Sequence, residues 1–335
     1  MNKPVIAISM GDPAGIGPEL VVKILCNPAV YDMCSPVVIG DPRVMAENCR
    51  RLEAGLRLRP IVHIADARFS PSDVDILCPA GVHVESIPWG TVDAAMGKAA
   101  ALCLREAFML AMSKDVQGVV SAPLNKQAFH LAGYEFFDEV AFLASITHST
   151  DPYILGVTDS FWTVAVAEHV TFTGIAGLLK KERILRRTRG LHECLQRGGW
   201  ARPRLAVAAL NVHGGEGGLF GREESDEIAP AIAEARQGGI DAHGPIPADT
   251  VFVRARDGEF DGVVCMYHDQ ANIARKLVST RRGASIYMGL PVVCGTTAHG
   301  TAFDKAGQGV AETGSMEAAL LFVVKLAGYA GHDER

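Results

Sequence analysis

The run Val5-Ile6-Ala7-Ile8-Ser9-Met10-Gly11-Asp12-Pro13-Ala14-Gly15-Ile16-Gly17-Pro18-Glu19 holds the fold in miniature. A short apolar stretch reads as a strand, the glycines and prolines behind it make a tight turn, and Pro18 falls in the first turn of a helix, where its missing N–H costs nothing. Working outward, the same pattern recurs. Strand-like runs at 5–9, 37–39, 118–121, 162–167, 205–210 and 262–266 alternate with helix-period segments at 19–26, 42–56, 93–113, 181–197, 224–236 and 315–330. That alternation predicts an α/β fold of mostly parallel sheets with helices on both faces. Ligands of such sheets sit at the carboxyl ends of strands. Gly-rich or polar motifs follow the strands here at Met10, Val120, Ala167, Leu210 and Met266.

A chain of 335 residues accommodates two lobes or one large α/β unit, and a composition shift near 130–150 marks one crossing between lobes. The 32 basic and 38 acidic residues are scattered, and aromatics make up 7 %, so no nucleic-acid groove is expected. The cluster Lys180, Lys181, Arg183, Arg186, Arg187, Arg189 is the exception, and its spacing suits one solvated helix face. The apolar run at the N-terminus is too short for a signal-peptide core, and no stretch of eighteen apolar residues occurs. Eight cysteines are spread without a Cys-x-x-Cys pair and read as buried small hydrophobes of a reducing compartment. A cytoplasmic protein without membrane or nucleic-acid partners is the expectation.

Three histidines stand just behind strand-like runs: His169 ends T-V-A-V-A-E-H, His213 lies in L-N-V-H-G-G-E-G-G, and His268 in C-M-Y-H-D-Q. Each run delivers its histidine to the same edge of a parallel sheet, and three imidazoles leave open positions on a catalytic divalent ion. Lone loop histidines that bind nothing are the competing reading, because the spacing is no local metal motif. The turn at 10–19 lacks both the Walker ending and the G-x-G-x-x-G pattern, so neither a P-loop nor a standard dinucleotide fingerprint is present. A second Gly-rich segment covers His299, Gly300, Thr301, Ala302, Asp304 and Gly307. Its small residues let a flat ring or a ribose approach the backbone, with Asp304 to accept from ribose hydroxyls; a plain loop-to-helix junction is equally open.

Taken together, these segments resemble the 4-hydroxythreonine-4-phosphate dehydrogenase family of pyridoxal phosphate biosynthesis. The carriers are M-G-D-P-A-G-I-G-P-E at 10–19, S-A-P-L-N-K at 121–126, N-V-H-G-G-E-G-G at 211–218 and P-A-D-T at 247–250, followed by M-Y-H-D-Q at 266–270, M-G-L-P at 288–291 and H-G-T-A at 299–302. The resemblance implies a two-lobed homodimer, related in fold to isocitrate and isopropylmalate dehydrogenases, with interleaved lobes and the active site in the cleft between them. It implies NAD or NADP, and a divalent metal (zinc, magnesium or cobalt) held by His169, His213 and His268 drawn from both subunits. The segment from His299 to Gly307 resembles the adenosine-side loop of the wider decarboxylating group.

The substrate positions depart from the family. Its substrate-binding His-Thr pair sits in a G-H-T-E motif, where this chain has Asp138-Glu139-Val140-Ala141. Lys276 matches the family's phosphate lysine, but Ser285 stands for an asparagine and Cys294 for an arginine. Losing an arginine fork weakens a phosphate grip, although Arg275, Arg281 or Arg282 could compensate. The expectation drawn is a dehydrogenase that oxidises and decarboxylates a small non-phosphorylated hydroxy acid, with terephthalate cis-dihydrodiol as the most concrete candidate. A genuine 4-hydroxythreonine-4-phosphate dehydrogenase is the alternative, and a non-catalytic binding protein a distant third. In the expected mechanism the ion acidifies the substrate hydroxyl, Lys276 neutralises a carboxylate, and Asp249 or Lys126 handles protons or orients water. Structural salt bridging by these charges is the competing reading.

Overall fold

In a computed structural model of the chain, residues 3–136, 138–278 and 282–330 are described. Their strands in chain order are β1 (Val5–Ser9), β2 (Ser35–Ile39), β3 (Arg57–Ile61), β4 (Asp73–Leu77), β5 (Gly118–Ser121), β6 (Tyr153–Val157), β7 (Trp162–Ala167), β8 (Arg204–Ala208), β9 (Asp241–Ile246), β10 (Gly262–Tyr267), β11 (Ala284–Met288) and β12 (Cys294–Thr297). The chain packs as two units. Residues up to Tyr153 and from Ala284 onward form one, and Ile154 to Gly283 the other.

In the first unit the strand order is β3-β4-β2-β1-β5-β12-β11. All neighbours are parallel except β11, which runs against β12. The central strands are apolar on both faces, as buried parallel strands must be: Ile6, Ala7, Ile8, Val37, Val38, Val119 and Val120 are fully buried. The helix Ala94–Met112 packs against β1, β2 and β5 and buries Leu104 and Phe108. Burying each such side chain contributes about 1.5–3 kcal/mol. Asp93 caps this helix by accepting from the Met96 N–H at 3.1 Å. Pro60 sits in β3, an edge strand, where a missing N–H breaks no ladder.

In the second unit the order is β6-β7-β10-β8-β9, with β6 antiparallel to β7 and the rest parallel. Its core joins Phe161, Val251, Phe260, Val263 and Cys265. The helix Lys181–Arg197 carries most of the basic cluster, and only part of it is a solvated face. Lys180 pairs with Glu227, and Lys181 and Arg189 with Glu234. Arg187, however, is 1 % exposed. Its position two turns into the helix follows the apolar stripe of Ile184 and Leu191, which the charge pattern alone hid.

Five of the eight cysteines are buried, Cys49 is half-buried, and Cys26 and Cys78 are exposed. No helix among the described residues is long and apolar enough to cross a membrane.

Candidate active site

The strands β7, β10 and β8 lie side by side and run parallel, so their carboxyl ends share one edge. His169 leaves β7, His268 leaves β10 and His213 follows β8 at that edge, and all three are exposed. The His169 and His268 rings face each other with centroids 5.8 Å apart. They line a cavity of about 230 Å³ together with Val170, Phe172, Tyr267 and Asp269. Asp269 Oδ1 lies 2.7 Å from His268 Nδ1 and so orients the ring, leaving Nε2 for an outside partner. Gln270 fixes the strand ends themselves: its Oε1 accepts from the Met266 N–H and its Nε2 donates to the Ala209 carbonyl.

His213 stands apart from this pair. It begins a turn in which His213, Gly214, Gly215, Glu216 and Gly217 all have φ between 46° and 78°. Left-handed backbone costs a non-glycine residue roughly 1–2 kcal/mol. The turn is held from below by Glu224, whose carboxylate accepts from the Leu210 and Asn211 backbone N–H groups and the Asn211 amide. Burial pushes the Glu224 pKa up, but these donors together outweigh it and hold the carboxyl below its ordinary range. The His213 Nδ1 is 3.0 Å from Glu216 Oε1. Among the described residues, no three His, Cys, Asp or Glu side chains of one chain meet as a metal-holding group.

Lys276 is exposed on the last turn of the helix His268–Val278, and Asp249 is exposed in the first turn of Ala248–Arg256. Arg275, beside Lys276, is buried near Glu168, and burial lowers its pKa. Arg281 lies outside the described residues.

In the first unit the turn behind β1 knits to the second Gly-rich segment. The Ile16 N–H donates to the Thr301 carbonyl at 3.0 Å, and a Cβ on Gly15 would meet Thr301 at 2.9 Å. Ala302 has φ 41°, His299, Gly300 and Asp304 are exposed, and Gly307 packs on the Trp89 ring. Asp12 is fully buried here; its Oδ1 accepts from the Ala14 N–H while Oδ2 has no partner, and burial lifts its carboxyl to about 6.

Lys126 is exposed at the start of the helix Lys126–Leu131. Of the other substrate positions, Val140 and Cys294 are buried and Ser285 is 8 % exposed. Glu139 is half-buried, at the first turn of the helix Glu139–Thr147. Burial lifts its carboxyl to about 7, against a partial opposing pull from the Ser121 and Tyr287 hydroxyls. Asp12 and Gln270 lie in motifs quoted from the sequence but carried no expected role of their own, and Glu224 opens a helix-period segment with no site signal.

The family model for pyridoxal phosphate biosynthetic protein PdxA matches residues 32–323. The chain belongs to this family. It is 39 % identical over 328 residues to D-threonate 4-phosphate dehydrogenase of Salmonella typhimurium, covering 98 % of this chain and 100 % of the relative. The crystal structure of 4-hydroxythreonine-4-phosphate dehydrogenase from Klebsiella pneumoniae is similar with a TM-score of 0.83 and 37 % identity, over 97 % of this chain and 98 % of that one. A terephthalate 1,2-cis-dihydrodiol dehydrogenase from Burkholderia xenovorans LB400 is more distant, with a TM-score of 0.69 and 28 % identity, over 97 % of this chain and 98 % of that one.

These likenesses overturn the expectation of a non-phosphorylated, terephthalate-dihydrodiol-like substrate. That expectation rested on a lost grip at 285 and 294 and on a full negative charge at 139. Cys294 is fully buried, so its thiol offers a ligand nothing in the arginine's place. The Glu139 carboxyl, lifted to about 7, is not a fixed charge near neutral pH.

Proposed function

We propose that this chain oxidises the secondary alcohol of a phosphorylated four-carbon hydroxy acid, of the 4-phosphothreonate or 4-phosphohydroxythreonine kind. Membership of the PdxA family, with near full-length relatives that are dehydrogenases, supports a dehydrogenase. The observation that carries the substrate class is the near full-length likeness to D-threonate 4-phosphate dehydrogenases, at 38 % to 39 % identity. The same likeness supports NAD or NADP as hydride acceptor. Oxidation of the hydroxyl β to a carboxylate gives a β-keto acid, and such acids lose carbon dioxide, so decarboxylation belongs to the proposal.

The histidine edge suits a divalent cation. His169 and His268 present adjacent imidazoles, and the Asp269 contact fixes which His268 nitrogen is open. A cation held there would supply Lewis acidity toward the substrate hydroxyl. His213 is assigned as the third ligand, completing the set across two subunits. Exposed apolar side chains accompany all three histidine segments: Phe172 behind β7, Leu219 and Phe220 behind β8, and Ile273 and Leu277 behind β10. A second copy of the chain is the partner that this surface favours. Lys276 would bind an anionic group of the substrate, and Asp249 and Lys126 would position protons or water. The segment 299–304 would receive the dinucleotide, with Thr301 locked against the turn behind β1.

The test is reduced-cofactor absorbance with D-threonate 4-phosphate, 4-hydroxythreonine 4-phosphate and their unphosphorylated counterparts, with released carbon dioxide counted in parallel. Turnover of a phosphate ester, with one carbon dioxide per hydride, is expected. Turnover confined to the unphosphorylated acids would end this reading.

A further inference from the structure

The strand β8 ends at Ala208, and just beyond it a side chain receives the backbone. Leu210 and Asn211 donate their N–H groups to Glu224 Oε1 at 2.9 and 2.7 Å. Glu224 Oε2 accepts from the Asn211 amide at 2.9 Å, and the same amide nitrogen reaches Glu223 Oε2 at 2.7 Å. Glu224 is 6 % exposed. It opens a π-helical turn, Glu224–Ile228, that runs on into the helix Ala229–Gln237. Such turns are rare and are frequent at functional sites. The space around the carboxylate is full: a Cβ on Gly215 would lie 2.8 Å from Glu224 Oε2, and one on Gly221 would run into the Asn211 amide and Glu223.

The turn that this carboxylate carries is left-handed from His213 to Gly217, yet two of its residues are not glycine. Those two, His213 and Glu216, are the ones whose side chains meet, Nδ1 to Oε1 at 3.0 Å. Glycine would be less strained at both positions, and strain of this kind concentrates at functional sites. What it secures here is an imidazole with a carboxylate on one ring nitrogen, the arrangement that Asp269 gives to His268.

We propose that Glu224 is the positioning residue of His213: its buried carboxylate, through Asn211, sets the path of the turn and thereby where the imidazole stands for a divalent cation. The proposal rests on the reading of His213 as the third metal ligand. Both oxygens of Glu224 already serve the backbone and amide of the segment leading to His213, so its action on the cation is indirect. A carboxylate suits this place better than an amide. Glutamine would keep one oxygen for the two backbone donors but turn an –NH2 group toward the Asn211 amide, donor against donor. Turning the Asn211 amide over would relieve that clash only by aiming its oxygen at Glu223.

The experiment measures binding of divalent cobalt to the intact protein by titration calorimetry and by the visible absorption of the bound ion, which depends on ligand geometry. Wild type is compared with Glu224→Gln, Asn211→Ala and His213→Ala. Glu224→Gln should bind cobalt about 10–100-fold more weakly, with an altered absorption band and an unchanged far-ultraviolet spectrum. A merely structural role would lower the urea midpoint and leave affinity and band at their wild-type values, which overturns the proposal. If Glu224→Gln does not fold, Asn211→Ala decides, because it removes the amide link and leaves both carboxylates; wild-type affinity and band there overturn the proposal too. His213→Ala separates the two readings. If it loses affinity while the other variants keep it, the role of Glu224 fails and the metal reading stands. If it binds cobalt like wild type, His213 is no ligand and the proposal falls with that reading.

Discussion

His268 has one ring nitrogen engaged by Asp269 at 2.7 Å and one free to serve an outside ligand. Partners of this kind fix the tautomer of a metal-binding histidine, and their loss typically costs 10–100-fold in metal affinity. Asp269→Asn should therefore weaken divalent-metal binding by about that factor, measured by titration calorimetry, with the far-ultraviolet spectrum unchanged; unaltered affinity would count against His268 as a ligand. Asp12 makes a second prediction. Its carboxyl rises from 3.8 to about 6 on folding because burial disfavours its charge. Between those values the native state holds more protons than the unfolded one, so stability falls as pH rises from about 4 to 6. Asp12→Asn should remove that component, on the order of 2 kcal/mol, and flatten the urea midpoint across this window. A wild-type slope retained in the variant would assign it elsewhere. His169, His213 and His268 stand out in the sequence because each ends an apolar run, whereas Asp269 lies in the quoted M-Y-H-D-Q motif with no role of its own expected there. Asp12 lay in a quoted motif, but nothing in the letters told that Oδ2 would be sealed without a partner.

At the level of elements, helix spacing depends on single glycines. A Cβ on Gly97, in the helix Ala94–Met112, would lie 2.1 Å from the Ala128 carbonyl oxygen in the helix Lys126–Leu131. Backbone cannot yield as a flexible side chain does, so Gly97→Ala should destabilise by at least about 1–3 kcal/mol, the usual range for overpacking. Chemical denaturation checks it; a neutral result would mean the two helices are free to part. Much of this layer was readable. The strands 5–9, 118–121 and 162–167 and the helix 181–197 fall where the periodicity placed them. Six strands, β3, β4, β6, β9, β11 and β12, lie outside the expected set; among them R-L-R-P-I of β3 and D-A-H-G-P-I of β9 carry charges and prolines in place of β-branched alternation. Both are edge strands, where half-solvated backbone tolerates such residues. The hydroxyl row that Ser121, Thr296 and Ser285 form across β5, β12 and β11 was out of reach for another reason: only inter-strand register brings together residues so far apart in the chain.

For the whole molecule the question is what covers the apolar side chains beside the histidines. Phe172 is 78 % exposed, Leu219 75 % and Leu277 78 %, far more than single surface residues need. If a second copy buries them, the protein should sediment as a dimer at assay concentration, and Leu277→Asp should shift it toward monomer while lowering metal occupancy. An active, metal-loaded monomer would contradict the shared-site reading. Metal removal should likewise loosen the dimer, because a ligand shared across two chains links binding to association.

The turn from His213 to Gly217 is a short piece of mirror-image helix in a protein built from residues of one chirality. At Gly217 an added Cβ would meet nothing within 4 Å, so hand and not space restricts that position. Chirality then becomes the experimental variable. L-alanine at 217 should destabilise by about 1–2 kcal/mol. D-alanine, introduced by semisynthesis, matches the local hand and reduces the freedom of the unfolded chain, so it should stabilise by about 0.4–1 kcal/mol. Opposite signs for two enantiomers at one site would show that the turn carrying His213 is held in its unusual hand in solution; equal effects would show that it is not.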